Sequence, residues 1–318
     1  MARYVRVAAI SIHPRSIFEK PADQNVFDFV IEWLKKEIEQ VLPSKPDLIV
    51  IPECCDRPRD LTPEQTLTYY ASRNDEVQSY LRSVAKDNHC YVAYGYARDA
   101  EDGMRRNSCI MIDRDGNEMG AYDKNFPTLF EKPNSRVLPG DDAHIFECDF
   151  GRVGAVICFD LNFEEIREKY KKARPDIMVF PSNFGGGLMR NFFAYETQSY
   201  FVAACGWQCP AEVINPLGET IDITKCFAYY DYVVQDINLD YAIVHLDFNK
   251  EKLLAAKEKY GPAFNMRVGG FLGVVMISCE SEDMTIQDII EEFDIELRED
   301  YFARSKADIQ ENLKQMKQ

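Results

Sequence analysis

The chain has 318 residues, of which 46% are hydrophobic and 28% are charged, and this composition excludes a disordered or fibrous protein. Its 53 acidic and 37 basic residues give a formal net charge of −16, which disfavours binding to nucleic acid or to an anionic membrane surface. We therefore expect no nucleic-acid partner and no membrane partner, and no apolar run approaches the ~20 residues of a transmembrane helix.

The first part of the chain alternates short apolar runs with an amphipathic helical pattern. Val5 to Ile12 is typical of a strand, and apolar residues then recur at helical spacing over 25–42 until two prolines end the helix. Further strands are predicted over 47–51, 89–95 and 107–112. The first of these three is continuously apolar after its first residue, which indicates a strand covered on both faces.

The same alternation continues further along the chain. A strand over 153–158 precedes a helix over 162–172, whose first residue is predicted to cap it. Strands over 176–180 and 200–204 flank a helical pattern around 191–199. This alternation predicts a layered α/β domain rather than a helical bundle or a β-sandwich.

An internal similarity indicates two related halves. The segment Pro46 to Glu53 is matched by Pro175 to Ser182, and each follows a helical pattern and ends its strand with a polar residue. Ligand sites in α/β sheets lie at the carboxyl ends of strands. We predict one domain over 1–280, followed by a helical extension over 281–318 that docks on its own chain or on another copy.

The ten cysteines are irregularly spaced and supply no paired C-x-x-C units with nearby histidines. We therefore expect neither a structural zinc site nor a disulfide framework. The N-terminal apolar stretch lacks the length and the small-residue cleavage site of a secretory signal, so we predict a cytoplasmic protein.

Cys158 ends a predicted buried strand just before a polar turn and a helix start. A thiol in that position is expected to have a lowered pKa, and neighbouring backbone N–H groups can bind an oxyanion. The alternative is a small packing residue, which is the usual role of a free cysteine.

Glu53 and Lys124 are two further candidates. Glu53 follows an apolar strand and a proline, where burial is expected to raise its proton affinity and make it a general base; the alternative is a structural ion pair. Lys124 offers a compact charge for an oxyanion, or it is an ordinary surface lysine. Glu131 can hold that ammonium in place, or it is a surface charge.

Together and in order, Pro52-Glu53, Tyr122-Asp123-Lys124 and Gly154 to Cys158 resemble the motifs of the nitrilase-like carbon-nitrogen hydrolases, and the resemblance extends over about 3–249. It implies a four-layer αββα sandwich of two mixed β-sheets flanked by helices, and a homodimer or larger homo-oligomer. It also implies a catalytic triad with two supporting groups and no metal or cofactor: Glu53, Lys124 and Cys158, with Glu131 as a second glutamate and the Phe159 backbone N–H as an oxyanion donor.

Departures from the family pattern bear on the substrate. Many relatives have a histidine where this chain has Phe126, and nitrilases usually follow the cysteine with Trp-Glu, whereas here Phe159-Asp160 is similar to the amidase and carbamoylase branches. Residues after other strand ends are candidates for the pocket wall, with packing as the alternative role: Asn183, Phe184 and Trp207.

These features predict a hydrolase of non-peptide carbon–nitrogen bonds that acts on a small amide or N-carbamoyl compound. The reaction proceeds through a cysteine thioester and releases ammonia or an amine. Two alternatives stay open, namely an acyl transferase on the same scaffold and a catalytically silent binding or scaffold protein. A Cys-His protease is disfavoured because none of the four histidines lies in a segment with a partner signature.

Overall fold

The computed structural model describes residues 2–11, 15–207, 209–224, 231–270 and 272–316. They form two compact units. One spans Val5–Asp236, and the other combines residues 2–4 with the described part of 237–318. Residues 237–280 group with the C-terminal helices because they share a hydrophobic core with them, whereas the sequence suggested a division at 280.

The larger unit is built from two six-stranded sheets and the helices that cover them. Its strands are β1 (Tyr4–Ile10), β2 (Leu48–Ile51), β3 (Tyr91–Asp99), β4 (Arg105–Ile112), β5 (Glu118–Asp123), β6 (Ile145–Cys148), β7 (Gly151–Ala155), β8 (Ile177–Ser182), β9 (Tyr200–Cys205), β10 (Glu212–Ile214), β11 (Thr220–Ile223) and β12 (Tyr232–Asn238). Its helices are α1 (Val26–Glu39), α2 (Pro63–Ser72), α3 (Glu76–Asn88), α4 (Glu131–Ser135), α5 (Glu164–Ala173) and α6 (Leu188–Thr197).

The two sheets have the same internal arrangement. Their strand orders are β12-β1-β2-β3-β4-β5 and β6-β7-β8-β9-β10-β11. In the first sheet β1, β2 and β3 are parallel and β4 and β5 follow antiparallel. In the second sheet β7, β8 and β9 are parallel and β10 and β11 follow antiparallel. The matched segments of the sequence therefore form corresponding strands, β2 and β8.

The sheets are packed face to face between helical layers. On one face of β2, Ile49 and Ile51 pack against residues of α1 and α3, including Trp33 and Leu81. The alternate residues of β2 point to the opposite face, where β2 and β3 contact β8 and β9. Helix α6 covers the outer side of β9. The predicted αββα sandwich is confirmed.

One local prediction was wrong at the end of β7. The strand ends at Ala155 rather than at residue 158, and α5 begins at Glu164 rather than at residue 162. Residues Cys158–Asn162 instead form a 3₁₀ helix, and the Asn162 amide donates to the Phe159 carbonyl at 3.0 Å rather than capping α5.

The smaller unit is a three-stranded antiparallel sheet with its own helices. Its strands have the order β13-β15-β14, and hydrophobic residues of α7 and α8 complete the core. No helix among the described residues is both long and apolar enough to cross a membrane. The elements of this unit are β13 (Tyr241–His245), α7 (Lys250–Tyr260), β14 (Phe264–Val268), β15 (Val274–Cys279), α8 (Ile286–Phe293) and α9 (Arg298–Gln315).

Candidate active site

Glu53 lies two residues beyond the end of β2 and is buried, with 4% of its surface exposed. Its Oε1 accepts hydrogen bonds from Lys124 Nζ at 2.9 Å and from Asn107 Nδ2 at 2.6 Å. Its Oε2 accepts from the Asn183 backbone N–H at 3.1 Å. The carboxylate is therefore fully engaged by the strands that surround it.

Lys124 directly follows β5 and is almost completely buried. Its ammonium contacts Glu53 Oε1 at 2.9 Å and both carboxylate oxygens of Glu131, at 2.9 and 3.1 Å. Burial alone lowers the pKa of Lys124, but the negative charges of Glu53, Cys158 and Glu131 outweigh it and raise the pKa above the ordinary lysine value. The side chain is therefore an ammonium at neutral pH.

Glu131 begins α4 and completes this charge cluster. The Thr128 backbone N–H donates to its Oε2 at 2.6 Å, and its side chain is 19% exposed. Asn107 on β4 donates from the same Nδ2 atom to Glu53, at 2.6 Å, and to Glu131, at 2.7 Å. The two carboxylates thus share one ammonium and one amide.

Asn107 was not identified from the sequence except as the first residue of a predicted strand. The only signal was a polar residue at the start of an apolar run, where its buried amide needs partners. Its position between two carboxylates follows from the pairing of β4 with β3 and β5, which residue spacing does not show.

Cys158 lies at a sharp turn after β7, where it begins a 3₁₀ helix with a φ of 49°. This left-handed conformation is unusual for a residue with a side chain and is characteristic of functional sites. The thiol lies within hydrogen-bond reach of the Glu53 carboxylate and of the Ser182 hydroxyl. The structure therefore brings the three sequence-predicted residues, Glu53, Lys124 and Cys158, into one cluster.

Gly154 permits the close packing beneath this turn. A Cβ atom at that position would lie 2.6 Å from Met178 Sδ and 2.7 Å from a ring carbon of Tyr170. The Tyr170 hydroxyl donates to the carbonyl of Ala155, which ties α5 to the strand that carries the cysteine. A larger residue at Gly154 would displace one of these neighbours.

The protonation states in the cluster differ from those expected from the sequence. Burial, and then the charge of Glu53, raise the pKa of the Cys158 thiol, and Lys124 and Ser182 only partly oppose this. Burial also acts to raise the pKa of Glu53, but the charge and hydrogen bonds of Lys124, with the Asn107 and Cys158 hydrogen bonds, lower it below the ordinary value. The resting cluster is a neutral thiol beside an ionised carboxylate.

Ser182 is a second residue that the sequence did not single out as part of the site. It ends β8 and is fully buried. Its hydroxyl donates to the Phe184 carbonyl at 2.7 Å and accepts from the Phe184 backbone N–H at 2.8 Å, which fixes it beside the thiol. Because β8 corresponds to β2, the two matched strands deliver Ser182 and Glu53 to the same cysteine.

The remaining sequence-predicted residues surround the cluster. Asn183 binds Glu53 through its backbone and also donates from Nδ2 to the Glu53 carbonyl at 3.2 Å. Phe159, Phe184 and Trp207 are 39%, 42% and 51% exposed. Asn183 and Trp207 line a cavity of about 260 Å³, and Phe184 is not among its lining residues.

Phe126 occupies the position where many relatives have a histidine. Its ring stacks on Phe163 with centroids 3.8 Å apart and planes 7° from parallel, and Phe159 packs edge-on against the same ring at 5.2 Å. The substitution therefore forms an aromatic cluster beside the nucleophile turn.

Asp160 anchors the loop after Lys124 to that turn. It is completely buried and accepts hydrogen bonds from the Tyr122 hydroxyl at 2.7 Å and from the backbone N–H groups of Phe126, at 2.7 Å, and Asn125, at 3.3 Å. Burial nevertheless raises the pKa of Asp160 to about 6.

This raised pKa predicts a pH-dependent contribution to stability. The folded protein binds more protons at Asp160 than the unfolded chain between pH ~4 and ~6, so the free energy of unfolding falls through that window by about 3 kcal/mol as pH rises. Urea denaturation of the wild type and of Asp160→Asn from pH 4 to 8 should show their stability difference shifting toward the variant at higher pH. Parallel curves would contradict this assignment.

The chain belongs to the carbon-nitrogen hydrolase family, because the model of that family matches residues 6–224, more than half of the chain. Its relatives include omega-amidase NIT2 of Xenopus tropicalis, which is 25% identical over 231 residues that cover 65% of this chain and 82% of the relative. Omega-amidase NIT2 of Homo sapiens is 24% identical over 254 residues, or 72% of this chain and 86% of the relative.

Solved structures share the fold at lower identity. The NitFhit protein of C. elegans superposes with a TM-score of 0.64 and 21% identity over 75% of this chain and 62% of its own. An amidase from Nesterenkonia sp. AN1 gives a TM-score of 0.62 and 15% identity over 74% of this chain and 90% of its own. The resemblance to nitrilase-like hydrolases is thereby confirmed.

Proposed function

We propose that this protein hydrolyses the carbon–nitrogen bond of a small amide or N-carbamoyl compound, with Cys158 as the nucleophile. The observation that carries the proposal is the buried cluster in which the thiol contacts Glu53 and Lys124 Nζ lies 2.9 Å from the same carboxylate. Family membership supports it, as do relatives named amidases. In the structure of the Nesterenkonia amidase, the acetamide moiety of fluoroacetamide is covalently added at the active-site cysteine.

The first half-reaction forms a thioester. Cys158 sulfur attacks the carbonyl carbon while its proton passes to the ionised Glu53. The Lys124 ammonium and the Phe159 backbone N–H stabilise the oxyanion of the tetrahedral intermediate. The intermediate collapses as Glu53 returns the proton to the leaving nitrogen, so that ammonia or an amine departs.

The second half-reaction releases the acid. Glu53 removes a proton from water, which attacks the thioester carbon, and the restored proton returns to the Cys158 sulfur as the carboxylic acid leaves. Glu131 is a positioning residue in this scheme. Its carboxylate holds the Lys124 ammonium through two hydrogen bonds and balances its charge.

A screen for ammonia release over small amides, N-carbamoyl compounds and nitriles tests the proposal. We expect release from members of the first two classes and none from nitriles, with Cys158→Ala as the inactive control. Hydroxylamine added as a competing acceptor detects acyl transfer, since a transferase would form hydroxamate in preference to free acid. Failure of every amide and N-carbamoyl compound would refute the proposed hydrolase.

Replacing Asn107 by alanine should lower kcat/KM about 10- to 100-fold. The loss removes a buried donor that serves two carboxylates, and a hydrogen bond to a charged group contributes about 1.5–3 kcal/mol. Asn107→Asp should be worse, because it adds a third carboxylate to the cluster. Steady-state kinetics compare both with Asn117→Ala in the exposed turn after β4, which should match wild type. Equal rates in all four proteins would exclude a positioning role for Asn107.

Location and assembly are further parts of the proposal. All nine cysteines in the described residues are free thiols, which supports a reducing compartment such as the cytoplasm. We also propose a homodimer or larger homo-oligomer, to be measured by light scattering coupled to size-exclusion chromatography. A strictly monomeric mass across concentrations would refute that part.

A further inference from the structure

A cavity of about 260 Å³ opens beside the catalytic glutamate. Its wall is formed by most of the segment that follows Glu53, together with Asn183 and Trp207. Cys54 of this wall is bonded directly to Glu53, and the Asn183 backbone N–H donates to the Glu53 carboxylate at 3.1 Å. The cavity therefore adjoins the cluster on both sides of that carboxylate.

Two arginines, Arg57 and Arg59, line this cavity. Among the ion pairs of the described residues, Arg59 is paired only loosely, at 3.6 Å from Glu19 and 3.5 Å from Asp60. The Nε atom of each arginine is buried without a hydrogen-bond partner in the structure. Both guanidinium groups therefore retain hydrogen-bonding capacity.

Arg57 keeps its positive charge because the adjacent carboxylate already has a partner. Asp56 is completely buried and forms its ion pair with Arg73, whose guanidinium also stacks over the Tyr96 ring at 4.0 Å. Within the described part of the chain, no ion pair joins Arg57 to an acidic side chain. The guanidinium at the cavity wall is thus not neutralised by its neighbour in sequence.

The charge of this wall contrasts with that of the whole molecule. A protein with a net charge of −16 places two arginines and one aspartate around a small cavity beside its nucleophile. Guanidinium groups match carboxylates with paired hydrogen bonds, and a locally positive cavity attracts an anion against the field of the rest of the protein. The volume lies below the ≈ 300–1,000 Å³ of cavities for drug-sized ligands, so the anion is carried on a short chain.

We propose that Arg57 and Arg59 bind a carboxylate of the substrate, so that the enzyme acts on short amides or N-carbamoyl compounds that carry a carboxylate a few atoms from the bond that is cleaved. This inference rests on the proposed function and adds the substrate class to it. The carboxylate lies either on the acyl part, as in a monoamide of a short dicarboxylic acid, or on the amine part, as in an N-carbamoyl amino acid.

Matched substrate pairs test the proposal. Succinamic acid is compared with butyramide for the acyl side, and N-carbamoyl-β-alanine with N-propylurea for the amine side. The proteins are wild type, Arg57→Gln, Arg59→Gln, the double variant, and Arg82→Gln as a control whose guanidinium forms a partly exposed pair with Glu118 at 3.4 Å. Each ratio of kcat/KM is taken within one protein, which cancels differences in folded fraction.

We expect wild type and Arg82→Gln to prefer the carboxylated member of one pair about 10- to 100-fold, and the double variant to reduce that ratio to about one. The pair that shows the preference identifies the side that carries the carboxylate. A ratio near one in wild type, or a preference that survives the double substitution, overturns the proposal.

A binding measurement separates this inference from the proposed function. Calorimetric titration of succinate into the wild-type protein should show binding that weakens about 10- to 100-fold in the double variant. Binding of this kind without hydrolysis of any amide would refute the hydrolase and leave the anion site standing. Cys158-dependent hydrolysis without carboxylate preference and without succinate binding would refute only the anion site.

Discussion

Cys158→Ala should lower amide turnover at least ~10⁴-fold while the fold is retained. Alanine cannot form the thioester, and loss of a nucleophile removes the contribution of the whole catalytic unit. Cys158→Ser should be nearly as inactive, because a hydroxyl holds its proton more tightly than a thiol and the Glu53 carboxylate has a lowered pKa. Steady-state ammonia release is the measurement.

The matched control is Cys148→Ala, which removes a partly buried thiol at the end of β6. We expect it to keep wild-type rates, so that a general effect of cysteine loss is separated from loss of the nucleophile. Circular dichroism and thermal unfolding establish that the variants are folded. More than 1% of wild-type turnover in folded Cys158→Ala protein would assign the nucleophile to another group.

Lys124→Met should reduce kcat by about 10³-fold or more and also destabilise the protein by about 3–5 kcal/mol. The first effect follows from the loss of an oxyanion donor, which typically lowers kcat about 10²–10³-fold, together with the raised pKa of Glu53. The second follows because Glu53 and Glu131 lose the ammonium that lies 2.9 Å from each of them. Urea denaturation and steady-state kinetics measure the two effects.

A double variant separates charge balance from catalysis. Adding Glu53→Gln to Lys124→Met removes one of the two uncompensated carboxylates, so a substantial part of the lost stability should return. Activity should stay absent, because the double variant lacks both the proton acceptor and the oxyanion donor. Recovery of turnover together with stability would show that these residues support the fold and not the reaction.

The sequence predicted the architecture well where periodicity was strong. The continuous apolar run of β2 and the amphipathic pattern of α1 both correspond to observed elements. By contrast, the prediction did not include α2 or α3. Helix α2 has few apolar residues and buries only Thr66, Tyr69 and Tyr70, so its sequence carries a weak helical signal.

The candidate triad was identifiable because its three members lie at the ends of strands, in motifs of recognisable order. The supporting residues were not, since Asn107 and Ser182 are ordinary polar strand residues until the pairing of the sheets places them beside Glu53 and Cys158. Protonation was also misjudged from local context. The lowered pKa of Glu53 depends on Lys124, which lies 71 residues away in the chain.

The most direct test of the account is rapid-quench mass spectrometry of the intact protein mixed with a hydrolysed amide. The account predicts a covalent adduct of one acyl group per chain, located on the peptide that contains Cys158 and lost when that residue is alanine. Release of acid and ammonia with no adduct at any quench time, or an adduct that persists in Cys158→Ala, would contradict it.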